Sequence, residues 1–100
     1  MTETNIPAPE QILVGLRAAI ADTLDGIDLA RIDLSAVHAG TPMLSLPVDS
    51  MALMQIITSV EDRFRIFIPE DKAYAFTTIG ELVDFVRAKT AAKAARQQQG

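Results

Sequence analysis

The pair Asp49-Ser50, in the stretch "LPVDSMALMQIITSVEDRF" from Leu46 to Phe64, sets a carboxylate and a hydroxyl side by side at the mouth of a long apolar segment. Three chemistries could use that serine. As a catalytic nucleophile Ser50 needs a base, and the only histidine, His38, lies well upstream in a loop-like stretch. The flanking "VDSMA" also lacks the glycines of a hydrolase elbow. No Ser-His-Asp enzyme and no catalytic residue are expected. No metal site is expected either, since neither a cysteine nor a second histidine exists to build one around His38. As a helix start, Asp-Ser before an apolar run is ordinary, with the Asp49 side chain capping the first turn. Met51 and Met54, just downstream, read on their own as core filler. The third chemistry asks the hydroxyl to be neither acid nor base. An exposed serine at a helix N-terminus is an attachment point for a phosphodiester, because free backbone N–H groups and the positive end of the helix dipole favour the resulting anion. An external enzyme would perform the transfer.

The elements that must position Ser50 follow from apolar periodicity. In "PEQILVGLRAAIADTL", Ile12, Leu16, Ala19, Ile20 and Leu24 share one helical face. Pro9 suits the first turn and Asp25-Gly26 ends the run, which predicts a first helix over about 9–24. A second helix, about 50–65 and capped by Asp49, places Leu53, Ile56, Ile57, Val60 and Phe64 on a buried stripe. "PEDKAYAF" predicts a short third helix opened by Pro69 and two acids. The fourth begins at "TTIGELVDFV", where Thr78 and Glu81 have capping-box spacing and Ile79, Leu82, Val83 and Val86 form the apolar face. These stripes should meet in one core. No segment alternates as a strand, so the expected fold is an all-α, four-helix bundle.

Between the first two helices lie residues 25–48, a long connection for so small a domain. Its apolar Ile27, Leu29, Ile32, Leu34, Val37, Met43, Leu44 and Leu46 predict that it packs back over the bundle, with a short helix near Leu34 to Val37. The tail "AKTAAKAARQQQG" should extend the fourth helix and then fray. The expected organisation is a flexible N-terminus over 1–8, one domain over 9–90, and a helical extension or disordered tail over 91–100.

Composition narrows the function classes. One hundred residues at 49% hydrophobic suit a single core, and the absence of cysteine removes disulfides, thiolate metal sites and thiol catalysis. "MTETNIPAPE" carries an acid where a secretory leader carries bases, and the longest uncharged run, Leu34 to Val48, holds Gly40, Pro42 and Pro47. Neither secretion nor membrane insertion is expected; the protein should be cytoplasmic. The net charge of −4 conceals an asymmetry: residues 1–86 hold thirteen acids against five bases, −8, while Arg87, Lys89, Lys93 and Arg96 put +4 on the tail. An acidic body argues against nucleic acid and for docking onto basic protein patches, although from composition alone ordinary solubilising charge is the better explanation.

The run "TPMLSLPVDSMALMQIITSVEDRF", followed in order by "IPEDKAYAFTTIGELVDFV", resembles the acyl carrier protein family, most strongly from Thr41 to Val86. The resemblance implies an acyl-carrier-like bundle, monomeric, with 4′-phosphopantetheine from coenzyme A on Ser50 and an acyl group carried as a thioester. It implies two roles for Asp49, as helix cap and as a metal-contacting residue while the transferase acts. The implied partners are a phosphopantetheinyl transferase and acyl-activating, acyl-transferring or synthase enzymes. They would meet the second helix at Met51, Met54, Gln55, Thr58, Glu61 and Asp62. Several residues depart from the family pattern. Met51 replaces leucine, a volume-conserving exchange. Pro47 stands where glycine is common and should stiffen the approach to Ser50. Ala52, Gln55 and Arg63 occupy positions often acidic in fatty-acid-synthesis members, leaving Glu61 and Asp62 to keep that character. Recognition should therefore lean on shape and apolar contact around Ser50, Met51 and Met54, as in a specialised pathway. "LSLPVDS" has no glycine pair of the kind usual in peptidyl carriers, which favours a free-standing acyl carrier. The rival from another class is an unmodified helical interaction module that binds a partner through the same face.

Overall fold

The computed structural model describes residues 6–99; the flexibility expected for residues 1–5 and the fraying expected at residue 100 lie outside the described residues. The chain forms five helices in order: α1 (Pro9–Thr23), α2 (Gly26–Leu29), α3 (Ser50–Phe64), α4 (Glu70–Ala75) and α5 (Ile79–Gln99). Single 3-10 turns stand at Leu34–Ala36 and Met43–Ser45. Among the described residues no strand forms, and Pro42 and Thr78 make an isolated bridge. The all-α bundle expected from periodicity is the fold found, with α1, α3, α4 and α5 as its four expected helices.

Local chemistry sets the boundaries. Pro9 opens α1, and the Ala8 N–H is held by Gln11 Oε1 at 2.8 Å. Asp25-Gly26 does more than end α1: Asp25 Oδ1 accepts the Asp28 N–H at 2.9 Å and so begins the unexpected short helix α2. Helix α3 stops where Arg65 turns left-handed, at φ 56°. Pro69 stands just before α4 rather than inside its first turn. At α5 the Thr78 Oγ1 accepts the Glu81 N–H at 3.3 Å, as a capping box requires. The Glu81 carboxylate, however, reaches one residue further back than expected, to the Thr77 N–H at 2.7 Å and the Thr77 hydroxyl at 3.0 Å.

The core lies where the three long helices meet. Ile12, Leu16, Ala19 and Ile20 of α1 pack against Ile56, Ile57 and Val60 of α3 and Ile79, Leu82, Val83 and Val86 of α5, all buried. Two expected members, Leu53 and Phe64, are only half-buried. Phe64 ends α3 and lays its ring over Gly15, where a Cβ would stand 2.9 Å from Phe64 Cζ; the missing side chain at Gly15 is what lets the ring lie there. Leu53 borders a cleft and lacks neighbours on that side.

The long connection packs back as expected through Val37, Met43 and Leu46, which are buried, with Leu29, Ile32 and Leu34 half-buried. Ile27 and Leu44 do not pack and are exposed. In a 3-10 turn residues three apart share a side, so Met43 and Leu46 turn inward together and leave Leu44 outward at 99% exposure. Backbone bonds fasten this loop to the start of α5: Met43 N–H to Thr77 O at 2.9 Å, Ile79 N–H to Thr41 O at 2.9 Å, and Gly80 N–H to Ala39 O at 2.7 Å. A Cβ at Gly80 would lie 2.9 Å from that Ala39 oxygen, so the closest contact needs glycine. From the other side Arg17 donates to the Val37 carbonyl through Nη2 at 2.7 Å. Among the described residues, no helix is long and apolar enough to cross a membrane.

Candidate functional site

The loop held down by these bonds delivers the chain to the N-terminus of α3. Leu46 is buried, and the Val48 N–H donates to the Leu46 carbonyl at 2.8 Å, closing a three-residue turn centred on Pro47. Proline's fixed φ suits the centre of such a turn, and its missing N–H is not called upon there. The stiff approach expected from Pro47 is thus built into the route to Ser50. Asp49 then caps the helix as predicted: its Oδ1 accepts the Ala52 N–H at 2.8 Å and its carbonyl accepts the Leu53 N–H at 2.9 Å.

Ser50 is the first residue of α3 and is exposed. The Ser50 and Met51 N–H groups have no partner among the described residues, so the helix end offers two outward donors beside the serine hydroxyl. His38 does not serve as a base to Ser50. Its Nδ1 accepts the Gly40 N–H at 2.9 Å and its backbone N–H donates to Thr41 Oγ1 at 3.0 Å, a role confined to its own loop.

Beside Ser50 opens a cleft of about 210 Å³ between the Met43–Ser45 turn, α3 and α4. Met43, Leu46, Val48, Leu53, Ala73 and Phe76 make it apolar, Leu44 and Tyr74 edge it, and Asp49 and Ser50 stand among its lining. Sequence reading took Met43, Leu44 and Leu46 as loop packing and did not assemble them into a cleft. The available signal was an excess of apolar residues in the connection together with an aromatic, Tyr74, on so short a helix.

Of the residues expected to meet partners, Met51, Gln55, Thr58 and Asp62 are exposed and form one stripe along α3, with Met51 at 73%. Met54 is half-buried, and its carbonyl accepts the Thr58 hydroxyl at 2.9 Å. Glu61 is half-buried and has a structural task, since its Oε2 accepts the Ile68 N–H at 2.7 Å and fastens the loop between α3 and α4. Arg63 does not stand as an added positive charge on this face: its Nη2 pairs with Asp22 of α1 at 2.9 Å.

A family model described as a phosphopantetheine attachment site matches residues 14–86. The chain is 30% identical over 82 residues to the acyl carrier protein of Tropheryma whipplei strain Twist, covering 82% of this chain and 94% of that one. It is 34% identical over 77 residues to the acyl carrier protein of Exiguobacterium sibiricum, covering 77% and 91% respectively. Among solved structures, the 3,7-dioxo-octyl actinorhodin acyl carrier protein from Streptomyces coelicolor is similar with a TM-score of 0.69 and 25% identity over 91% of this chain and 99% of that one. The hexanoyl acyl carrier protein from the actinorhodin polyketide synthase of the same organism gives 0.64 and 30% identity over 77% and 87%. The exposed serine at a helix mouth, the bundle that presents it and these matches agree: the chain belongs to the acyl carrier protein family, tethering acyl groups on covalently attached 4′-phosphopantetheine.

Proposed function

We propose that Ser50 Oγ is the attachment atom and that the chain acts as a carrier rather than a catalyst. The observation that carries this reading is the exposed Ser50 hydroxyl at the first residue of α3, directly after the Asp49 cap and inside the matched region. In the transfer, Ser50 Oγ forms a bond to the phosphorus of coenzyme A that bears the pantetheine portion. The pyrophosphate link breaks, adenosine 3′,5′-bisphosphate leaves, and the serine proton passes to the transferase. The Ser50 and Met51 N–H groups and the dipole of α3 then face the phosphodiester anion. Asp49 holds the first turn in place and offers its second carboxylate oxygen to the transferase's metal ion. Once bound, the arm supplies a terminal thiol that holds the acyl group as a thioester. The apolar cleft beside Ser50 fits the chemistry of such a cargo, with Leu53 and Phe76 ready to shield a hydrocarbon chain.

The carrier unit spans residues 9–90, works as a cytoplasmic monomer, and meets its enzymes along the Met51, Gln55, Thr58 and Asp62 stripe with Met54 and Glu61 beside it. Two positions of α3 bear on pathway. Ala52 and Gln55 leave the helix near the arm without charge, so steering by a basic partner is weak there. One solved relative is from the actinorhodin polyketide synthase and another is an actinorhodin acyl carrier protein. Both support a specialised pathway with a dedicated acyl-activating or acyl-transferring enzyme.

The test is incubation with coenzyme A and a broad-specificity phosphopantetheinyl transferase, read by intact mass. The wild type should gain one arm and Ser50→Ala, still folded, none. A labelled Ser50→Ala protein would place the site elsewhere, and a wild type that never gains mass would leave the unmodified interaction module. Transfer from the loaded protein by general fatty-acid-synthesis enzymes should be slow beside a carrier with an acidic second helix, and less salt-dependent.

A further inference from the structure

The end of the molecule away from Ser50 gathers positive charge. Helix α3 alone separates the two ends by about 21 Å at 1.5 Å per residue. There the loop after α3 and the last turns of α5 enclose a groove of about 360 Å³ lined by Arg65, Ile66, Phe67, Lys89, Lys93 and Arg96. Lys89, Lys93 and Arg96 fall at i, i+4 and i+7 on one stripe of α5. Among the described residues none of these four cations joins an ion pair; the pairs found are Arg17 with Glu10 and Arg63 with Asp22. Of the two carboxylates near the end of α3, Glu61 accepts the Ile68 N–H and Asp62, among the described residues, joins no ion pair. On the rim Phe67 stands 71% exposed, a large apolar side chain with no internal use.

Two contacts give the groove a fixed form. Lys93 Nζ donates to the Arg65 carbonyl at 3.1 Å, which ties the loop to α5. Lys89 Nζ sits 5.4 Å over the ring of Phe85. Both cations are therefore partly ordered before anything binds, which lowers the entropy lost on association.

We propose that this groove docks a short acidic segment of a partner protein, with Phe67 packing against an apolar side chain between its carboxylates. Charge complementarity selects the ligand class, and size selects among anionic ligands. A short segment meets only the local cations, within the Debye length of about 8 Å at physiological salt. A nucleic acid or an anionic lipid sheet extends further and meets the acidic body, which carries −8 over residues 1–86. The concavity also suits a peptide rather than a plane. Because the groove lies at the other end of α3, a partner can hold the carrier there while the Ser50 end enters an active site. Tethering of that kind raises the effective concentration of the arm without obstructing it. The proposal does not depend on attachment at Ser50.

The full-length protein, isotopically labelled, is titrated with a synthetic glutamate-rich peptide bearing two leucines. Phosphatidylglycerol vesicles and a single-stranded DNA oligonucleotide serve as parallel ligands, each at low and at physiological salt. Backbone resonances of Arg65 to Phe67 and of Lys89 to Arg96 should shift with the peptide, and its affinity should fall as salt rises. Lys89→Glu/Lys93→Glu should weaken binding about tenfold, as two surface charge reversals of common size predict. Phe67→Ser should weaken it several-fold, and Lys72→Glu on α4 should leave it unchanged. If loss of the Lys93 contact unfolds the first variant, Lys89→Glu/Arg96→Glu leaves that contact in place and should show the same loss. Shifts confined to α3, equal affinity in the reversed variants, or binding to vesicles or DNA in preference to the peptide would each overturn the proposal. Concentration-dependent shifts of the groove without peptide would assign it to a second copy of the chain and overturn it as well.

Discussion

The two ends of α3 are built in contrasting ways. At its N-terminus Asp49 satisfies two backbone donors from one residue, Ser50 and Met51 face outward, and a cleft lies open behind Leu53. At its C-terminus three neighbours brace the chain: Phe64 over Gly15 of α1, Glu61 on the Ile68 N–H, and Lys93 of α5 on the Arg65 carbonyl. The end that offers a hydroxyl for chemistry is capped by local bonds, is approached by a loop fastened to α5, and keeps space beside it. The other end is cross-linked to distant parts of the sequence and fixes the direction in which α3 points. With the arm on Ser50, as proposed above, this division suits a carrier: the direction of α3 is set at its far end, leaving space beside the serine.

That contrast predicts unequal responses to truncation. Phe64→Ala removes the ring that bridges α1 and α3; since the ring is half-buried, the expected cost is about 2–3 kcal/mol, below the ~3–5 of a fully buried Phe. Leu53→Ala at the other end enlarges a space that already exists and should cost only about 1–2 kcal/mol. Urea midpoints of the two variants measure the difference. Equal losses, or a larger one at Leu53, would mean that the arm end is packed as tightly as the brace.

Asp49→Ala should have a smaller effect on stability, about 1 kcal/mol, the common cost of losing a helix cap. Asp49→Asn sharpens the point because asparagine caps about as well as aspartate. It should keep the stability of the wild type and, on the metal contact proposed for Asp49, still be labelled slowly by the transferase, since the negative charge is gone. Labelling of Asp49→Asn at the wild-type rate would reduce Asp49 to a cap.

How much of this could be read from sequence depends on the range of the forces involved. The faces of α1, α3 and α5 were legible because a buried stripe must repeat with the helical period, and the Asp49 cap because capping is a contact three residues long. Phe64 was placed too deep because periodicity tells which way a side chain points and not what lies opposite it at a helix end. The role of Gly15 could not be read, since it depends on a ring forty-nine positions later. Helix α2 and the Met43–Ser45 turn were hidden inside a connection whose apolar residues carry no period. The cleft was hidden for the same reason. It is assembled from the connection, α3 and α4, held together by backbone bonds such as Met43 N–H to Thr77 O, which leave no trace in side-chain pattern. The place of Ser50 at the first residue of α3 was legible because a helix start is written in a local context.

The smallest expected effect concerns that seam between the connection and α5. Glu81 is held below the usual glutamate range, chiefly by the Thr77 N–H, then by the Thr77 hydroxyl and the Thr78 N–H, with partial desolvation opposing. A carboxylate whose folded pKa is depressed stabilises the fold fully above its unfolded value, about 4.3, and loses that contribution as pH falls through the folded value. Glu81→Gln keeps an acceptor oxygen and removes the charge. The urea midpoints of wild type and variant should therefore differ slightly at neutral pH and converge as pH falls through the carboxylate range. The Thr77 carbonyl also holds the Met43 N–H, and Met43 lines the cleft beside Ser50. In the wild type, amide exchange at Met43 should accordingly quicken in acid, relative to that of Ile57 in the core, more than it does in the variant. A midpoint difference that persists in acid would assign the bond to oxygen geometry alone. Exchange at Met43 indifferent to Glu81 would show that the arm end is held independently of the α5 cap.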